Sequence, residues 1–270
     1  MPLPVVSIIL SPHTAPERYV PLARRAEEAG VTEIWVWEDC FYESGIAAAA
    51  AILGATERTK VGIGLLPVPL RAVSLTAMEI STIARMFPGR LMPGIGHGVL
   101  DWMAQAGVRV RSPLTLLREY ATALRSLLAG EEVSTEGRYV NLDRVRLNWP
   151  ADPTPPILMG AEGPKTLALA GELGDGILLV GSLDAEQTGA KLRTALDARS
   201  AAGVTGDYTV VKFDEIAFDA SADQVRAKAS ALAEVGVQRM PLLTLDAEGR
   251  PDPGDGIERL IDTVAEVMGR

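Results

Sequence analysis

Cysteine and histidine are scarce in this chain of 270 residues, which has one cysteine, Cys40, and two histidines, His13 and His97. A single thiol cannot form an intramolecular disulfide, and one cysteine with two histidines cannot complete a cysteine-rich zinc site. We therefore expect no metal centre. The scarcity of cysteine is typical of a cytoplasmic protein.

Long apolar runs are also missing, since no stretch approaches the roughly 18 apolar residues that suggest a membrane-spanning helix. The apolar start at 5–10 has no positively charged residue before it and meets Pro12 too early for a signal peptide. We expect a cytoplasmic location and no membrane partner.

Positive charge is outweighed by negative charge, because 35 aspartates and glutamates stand against 26 lysines and arginines, giving a net charge of −9. No cluster of lysine and arginine forms a basic stripe along the chain. A nucleic-acid partner is therefore not expected, and the partner that we expect is a small-molecule substrate.

The chain does contain a regular alternation of short apolar runs and segments with helical period. Hydrophobic residues make up 47% of the sequence, and its length is close to the about 250 residues of an eight-stranded α/β barrel. Most of the runs are apolar continuously, as in parallel strands that are covered on both faces. The eight strand candidates are 5–10, 33–37, 60–66, 90–96, 156–160, 176–181, 208–218 and 237–243.

Eight strand and helix pairs with right-handed crossovers predict a (β/α)8 TIM barrel, formed by a single domain spanning 1–270. An open doubly wound sheet is the alternative, but it usually needs fewer strands and must protect two edges. The segment 131–150 predicts a small hairpin excursion before strand five, with its turn at Glu136-Gly137. Pro93 and Pro241 fall inside strand candidates, so we expect those strands to be shortened or bulged.

A glycine-rich run, Gly94-Ile95-Gly96-His97-Gly98, follows strand four at the end where barrel loops converge into one mouth. It is not a dinucleotide fingerprint, because Val99 stands where G-x-G-x-x-G requires its third glycine. Gly96 and Gly98 either let a flat ligand or a phosphate approach the backbone, or only form a turn. His97 could act as a general acid or base, or could simply pack or cap.

A second segment, Gly160-Ala161-Glu162-Gly163-Pro164-Lys165, follows strand five and opens a helix. Proline at the first helical position leaves free N–H groups at a helix end with partial positive charge, which favours an anion such as phosphate. Proline also begins many helices that bind nothing, and Glu162 would repel an anion if its side chain faced the site.

Strand two ends in aromatic and titratable residues. Trp35 and Trp37 alternate with apolar neighbours, so we expect both in the core on one face of the strand. Cys40 would be a nucleophile only with a lowered pKa, but its neighbours Glu38 and Asp39 raise it. We expect a buried and inert thiol.

Two longer stretches contain several of these features in a fixed order. The first runs from TKVGIGLLPVPLR at 59–71 to FPGRLMPGIGHG at 87–98, and the second from ILMGAEGPK at 157–165 to AGELGDG at 170–176. Together they resemble the luciferase-like monooxygenase superfamily, whose members are flavin- and deazaflavin-dependent (β/α)8 barrels. The similarity covers nearly the whole chain.

The resemblance implies a flavin-type ring lying across the barrel mouth, with its phosphate near the loops after strands four and five. It also implies a cis peptide bond between Gly64 and Leu65, and a homodimer. The predicted cofactor-binding residues are Asp39, Gly64, Leu65, Gly96, His97, Gly98, Gly160, Ala161, Glu162 and Gly163.

Asp39-Cys40-Phe41 matches the Asp-His-Phe that commonly ends strand two in the deazaflavin branch, with Cys40 in place of the histidine. Our candidate catalytic residues are therefore His97 and Asp39, while an acid or base role at position 40 is not expected. Val99 stands where sugar-phosphate dehydrogenases of this branch carry a glutamate, which disfavours that activity.

The activity that the resemblance implies is hydride transfer between reduced coenzyme F420 and a small organic substrate. One alternative keeps the barrel but makes the protein an FMN-dependent monooxygenase that activates oxygen. An alternative of another class is a barrel that binds a flavin or a phosphate-bearing ligand without turnover.

Overall fold

The computed structural model describes residues 2–251 and 256–269, so Met1, residues 252–255 and Arg270 of the predicted domain lie outside the described residues. Its strands are β1 Val5–Ile9, β2 Glu33–Val36, β3 Lys60–Pro67, β4 Leu91–Gly96, β5 Val133–Glu136, β6 Asn141–Val145, β7 Leu158–Gly160, β8 Gly176–Leu179, β9 Thr209–Lys212, β10 Asp214–Ala217 and β11 Arg239–Leu245. Its helices are α1 Tyr19–Glu28, α2 Gly45–Ala55, α3 Val73–Met86, α4 Leu100–Gln105, α5 Pro113–Leu128, α6 Pro164–Leu173, α7 Ala185–Ala201, α8 Ala222–Glu234 and α9 Gly256–Val267.

Eight of these strands form a closed parallel barrel, which confirms the predicted fold. Their order is β1-β2-β3-β4-β7-β8-β9-β11, and β11 closes the barrel by pairing with β1, where Val5 lies opposite Arg239. Helices cover the outside, so the strands are buried on both faces. Within the described residues, no helix is long and apolar enough to cross a membrane.

Side chains alternate along each barrel strand between the barrel interior and the layer beneath the helices. Ile8, Ile34 and Leu242 belong to the large cluster that packs against the helices. Their neighbours in sequence belong to a smaller cluster inside the barrel, formed by Ile9, Trp35, Met92, Leu158, Leu178, Val211, Phe213 and Leu243. This alternation determines which residues at the strand ends can face the barrel mouth.

The predicted strand 208–218 is interrupted in the structure, where β9 ends at Lys212 and β10 begins at Asp214. Both parts pair with β11. Lys212 accounts for the interruption, because its buried ammonium donates hydrogen bonds to the carbonyls of Phe213 at 2.6 Å and Gly181 at 2.8 Å. The Phe213 carbonyl is therefore bonded to a side chain at the point where the strand breaks.

The expectation for the two strand prolines is wrong, since Pro93 and Pro241 lie inside β4 and β11. Beside Pro93 it is the neighbouring strand that is irregular, because the register of β3 against β4 shifts between Ile63 and Leu66. Pro241 lies opposite Ser7 in a continuous ladder. One missing donor leaves the bonds on either side in place, so each strand continues through its proline.

The hairpin before the fifth barrel strand is present, as predicted. β5 and β6 pair antiparallel, with Glu136 opposite Asn141. The carboxylate of Glu119, on α5, accepts hydrogen bonds from the backbone N–H groups of Arg138, Tyr139 and Val140. These bonds attach the hairpin to α5 in the outer helix layer.

Gly62 and Gly54 provide two alanine substitutions with opposite expected effects. A Cβ atom at Gly62 would overlap the ring of Trp35, which is fully buried. Because overpacking a core costs stability, we expect Gly62→Ala to lower the free energy of unfolding by about 1–3 kcal/mol. At Gly54, inside α2, the nearest atom to a Cβ would be on the Phe87 ring at 3.9 Å, so Gly54→Ala should raise stability by up to about 1 kcal/mol.

Urea unfolding followed by circular dichroism measures both effects. An unchanged unfolding midpoint for Gly62→Ala would contradict the described packing of Trp35 against β3.

Candidate active site

A cavity of about 430 Å³ opens at the mouth of the barrel, where the strands end at their carboxyl sides. Its lining comes from β1, β3, β7, β8 and β11 and from the segments that follow β2, β4 and β9. Apolar side chains make up most of the wall, including Trp37, Leu65, Trp102 and Phe213. A concave, largely apolar site with a few polar groups is what a small molecule or a flat ring requires.

The structure brings most of the predicted site residues together in this cavity. Two predicted residues, Gly96 and Gly163, are not part of its lining. The predicted residues that do line it are Asp39, Gly64, Leu65, His97, Gly98, Gly160, Ala161 and Glu162. Their roles in binding or catalysis stay predictions.

Leu65 occupies the space that we expected the glycines to offer to a ligand. A Cβ atom at Gly96 would lie 2.5 Å from Leu65 Cδ2, and one at Gly160 would overlap the same methyl group. The small size of these two glycines therefore serves the packing of a leucine from β3. The Gly64–Leu65 peptide bond is cis, as predicted, and Cys40–Phe41 is a second cis bond that sequence reasoning did not predict.

His97 is mostly buried at the cavity wall. Its Nε2 lies 3.1 Å from Thr166 Oγ1 on α6, and its Nδ1 is buried without a hydrogen-bond partner among the described residues. Burial lowers the pKa of His97, and the Pro113 backbone opposes that shift only in part. The imidazole is therefore neutral at physiological pH and can donate from one nitrogen while accepting at the other.

Asp39 differs from a fully exposed carboxylate because its side chain is half-buried. Burial raises its pKa, while a hydrogen bond with Trp37 and the nearby His13 act in the other direction. Trp37 itself is half-buried and lines the cavity, so only Trp35 of the two expected core tryptophans is fully inside. Asp39 thus combines access to the cavity with partial desolvation, which is typical of functional carboxyl groups.

Cys40 is buried and free. Burial first, and then the charges of Glu38 and Asp39, raise the pKa of its thiol. The predicted burial of the thiol is confirmed, and its lack of reactivity stays a prediction.

Behind the cavity wall, Glu38 and Arg71 form an ion pair that sequence reasoning missed. The guanidinium of Arg71 contacts both carboxylate oxygens of Glu38, with Nη2 to Oε2 at 2.8 Å, and its Nε lies 3.2 Å from Glu79. Glu38 Oε2 also accepts from the Gly45 N–H at the start of α2, and the Glu38 N–H donates to the Leu65 carbonyl at 3.3 Å. The available signal was that oppositely charged residues follow two adjacent strands.

A second missed cluster surrounds the break between β9 and β10. Asp214 accepts hydrogen bonds from Lys228 Nζ on α8 at 2.9 Å and from the Glu215 N–H at 2.8 Å. Lys212 Nζ lies 3.8 Å from the same carboxylate, and burial lowers the pKa of Lys212. The cluster fixes the wall segment that carries Phe213 and Glu215.

The start of α6 lies at the rim of the cavity. Gly163 is its N-cap, no side chain caps the helix, and Pro164 occupies the first turn. A Cβ atom at Gly163 would meet nothing within 4 Å, and Lys191 Nζ donates to the Glu162 carbonyl at 2.9 Å. The free N–H groups and the nearby lysine favour an anion, whereas the Glu162 side chain, which lines the cavity, opposes one.

Within the described residues there is no group of three or more histidine, cysteine, aspartate or glutamate side chains that could hold a metal ion. The predicted homodimer and cytoplasmic location stay predictions.

Comparison with known proteins gives one family. A family model described as luciferase-like monooxygenase matches residues 5–262. A 5,10-methylenetetrahydromethanopterin reductase of Methanolobus tindarius is 28% identical over 228 residues, which cover 84% of this chain and 69% of that protein. An F420-dependent glucose-6-phosphate dehydrogenase of Nakamurella multipartita is 29% identical over 184 residues, covering 60% of this chain and 52% of that relative.

The fold is shared with solved structures over almost the whole chain. The crystal structure of a monooxygenase from Streptomyces bottropensis superposes with a TM-score of 0.83 at 21% identity and covers 97% of this chain and 98% of that chain. At this level of identity the likeness establishes the fold and leaves the chemistry to the residues of the site.

The lowered pKa of His97 is open to direct measurement, because the chain has only two histidines. We expect the imidazole resonances of His97 to titrate with a midpoint below the ordinary histidine value of about 6.5, since burial disfavours the imidazolium. Proton NMR across pH 4–8 records the titration, and the variant His13→Gln assigns the signal that remains. A midpoint at or above the ordinary value would contradict the described burial of His97.

Proposed function

The chain belongs to the luciferase-like monooxygenase family, and we propose that it is an oxidoreductase that uses coenzyme F420 to transfer a hydride to or from a small organic substrate. The proposal rests on one observation, the cavity of about 430 Å³ at the barrel mouth, which has mostly apolar walls and an uncapped helix at its rim. The F420-dependent relative from Nakamurella multipartita supports F420 over FMN.

The residues present fit a ring that carries a phosphate. Leu65, Trp37 and Phe213 offer flat or apolar surfaces in the cavity, and a ring that packs against them is shielded from water. The N-terminus of α6 offers the phosphate free N–H groups and the positive end of a helix dipole. When bound, F420 supplies a carbon centre that accepts or donates the hydride.

The chain itself contributes orientation, exclusion of water and a proton. The Glu38–Arg71 pair holds the end of β2 next to Leu65, and this fixes the wall against which the ring is placed. His97 is neutral and attached to α6 through Thr166, so its unprotonated nitrogen can take a proton from a substrate that gives up a hydride and return it in the reverse reaction. The Asp39 carboxylate, whose pKa is raised by burial, is the second group at the cavity that can take up a proton.

Two other functions use the same geometry. An FMN-dependent monooxygenase is supported by the shared fold of the Streptomyces bottropensis monooxygenase, although fold likeness does not select the cofactor. A barrel that binds a phosphate-bearing ligand without turnover would use the cavity and the α6 terminus but not His97.

A titration of the purified protein with F420 and, separately, with FMN tests the proposal. We expect F420 to bind at least tenfold more tightly than FMN, and we expect Asp39→Ala to weaken that binding because Asp39 lines the cavity. Changes in cofactor absorbance and fluorescence report the dissociation constants. Asp197→Ala, on the exposed side of α7, is the control and should bind as the parent protein does.

Tighter binding of FMN would replace the F420 assignment with the monooxygenase alternative. Binding of neither cofactor would remove the redox proposal altogether.

Gly163 and Lys165 test where the phosphate binds. Because Gly163 has φ −83° and ψ 156° and open space around its Cβ position, valine fits the fold there. We expect Gly163→Val to reduce F420 affinity at least tenfold by covering the helix N–H groups, and Lys165→Ala to reduce it no more than about threefold. The same titration measures both variants, and thermal unfolding checks that each is folded. The reverse ranking would place the phosphate elsewhere.

A further inference from the structure

We infer that the cavity at the barrel mouth takes a small substrate that is uncharged or positively charged, and that it rejects substrates carrying a carboxylate or a phosphate. The inference rests on the proposed function, because it names the substrate class of the same site. It follows from the charges that face the cavity and from what each of them contacts.

Asp39 and Glu215 face the cavity from two different places, the segment after β2 and the strand β10. Asp39 follows Trp35 and Trp37 at steps of two residues, and Trp35 is an interior residue. Glu215 pairs with Leu243, whose side chain also belongs to the interior cluster. Both carboxylates are among the residues that line the cavity.

Glu38 and Asp214 also contribute to the lining, but their charges are compensated behind the wall. Glu38 is paired with Arg71 through both carboxylate oxygens. Asp214 is paired with Lys228 on α8 and lies near the ammonium of Lys212. Both carboxylates therefore adjoin the cavity with their charge already paired to a cation.

No lysine or arginine belongs to the cavity lining of the described residues, whereas Asp39, Glu162 and Glu215 all do. None of these three carboxylates forms an ion pair within the described part of the chain. Glu215 accepts a hydrogen bond from Ser182 Oγ at 3.2 Å, which leaves its charge in place. Among the described residues, the only basic side chain in the lining is that of His97, which burial keeps neutral.

An anionic substrate would lose its hydration in this cavity without meeting a cation, and it would face three carboxylates. The negative potential of the same carboxylates would stabilise a bound ammonium group, and it would have the smallest effect on an uncharged molecule. Trp102, which lies outside the surface assigned to the ring, gives the apolar body of such a molecule a side chain to pack against. The cofactor phosphate is not in conflict, because Gly163 at the α6 terminus lies outside this lining.

Three probes with one ring and different charges measure the preference directly: benzylamine, benzyl alcohol and benzoate at pH 7. Because Trp37 and Trp102 line the cavity, binding to the full chain is followed by tryptophan fluorescence. We expect benzoate to bind at least tenfold more weakly than benzylamine, with benzyl alcohol between them. The double variant Asp39→Asn with Glu215→Gln keeps side-chain size and should bring the ratio of benzoate to benzylamine dissociation constants close to one.

Glu131→Gln is the matched control, because Glu131 is an exposed carboxylate outside the cavity, and it should leave the ratio unchanged. Benzoate binding as tightly as benzylamine, an unchanged ratio in the double variant, or binding of none of the probes would overturn the inference. The measurement needs no F420, so a protein that shows the charge preference but fails the F420 titration would disprove the proposed function alone.

Discussion

The site depends on one geometric constraint, the alternation of side chains between the inside and the outside of the barrel strands. On β2 and the residues after it, the alternation sends Trp35, Trp37 and Asp39 inward and Glu38 outward to Arg71. The break between β9 and β10 preserves it, since Phe213 is an interior residue and Lys212 is bonded behind the wall. A slip of one residue on either strand would exchange the paired charges for the unpaired ones.

The carboxylates at the strand ends therefore differ in how well their ionised forms are stabilised. Glu38 and Asp214 are buried, but each meets a cation and further donors, so their ionised forms are stabilised locally. Asp39 contacts no such cation in the part of the chain that the structure describes, and burial raises its pKa. The lysines and the arginine that contact these two carboxylates therefore lie outside the cavity lining, and the carboxylates that face the cavity keep their negative charge.

The fold follows from the sequence because apolar runs and their spacing are local signals. Runs such as 60–66 and 176–181 identify their strands, and the hairpin turn at Glu136-Gly137 was recognisable from residue type alone. The break at Phe213 was not, because it depends on a hydrogen bond from the side chain of Lys212 to a carbonyl on the next residue.

The site was predictable only in part, for the same reason. Its location followed from the rule that barrel loops meet at one mouth, and eight of the ten predicted cofactor-binding residues line the cavity. The Glu38–Arg71 pair joins residues 33 positions apart, so it is indicated only by the positions of the two charges after adjacent strands and not by a local pattern. The packing role of Gly96 and Gly160 was not predicted, because a missing side chain does not say which neighbour fills the space, and here the neighbour is Leu65.

Because of that contact, the substitutions tolerated at three positions on three strands depend on one another. Any side chain at Gly96 or Gly160 collides with Leu65. A smaller residue at position 65 leaves a cavity beside each glycine, and both cavities are filled only if alanine replaces both glycines. Single steps away from this arrangement are therefore unfavourable in every direction. Divergent members of a lineage should keep the leucine and both glycines, or have replaced all three in concert.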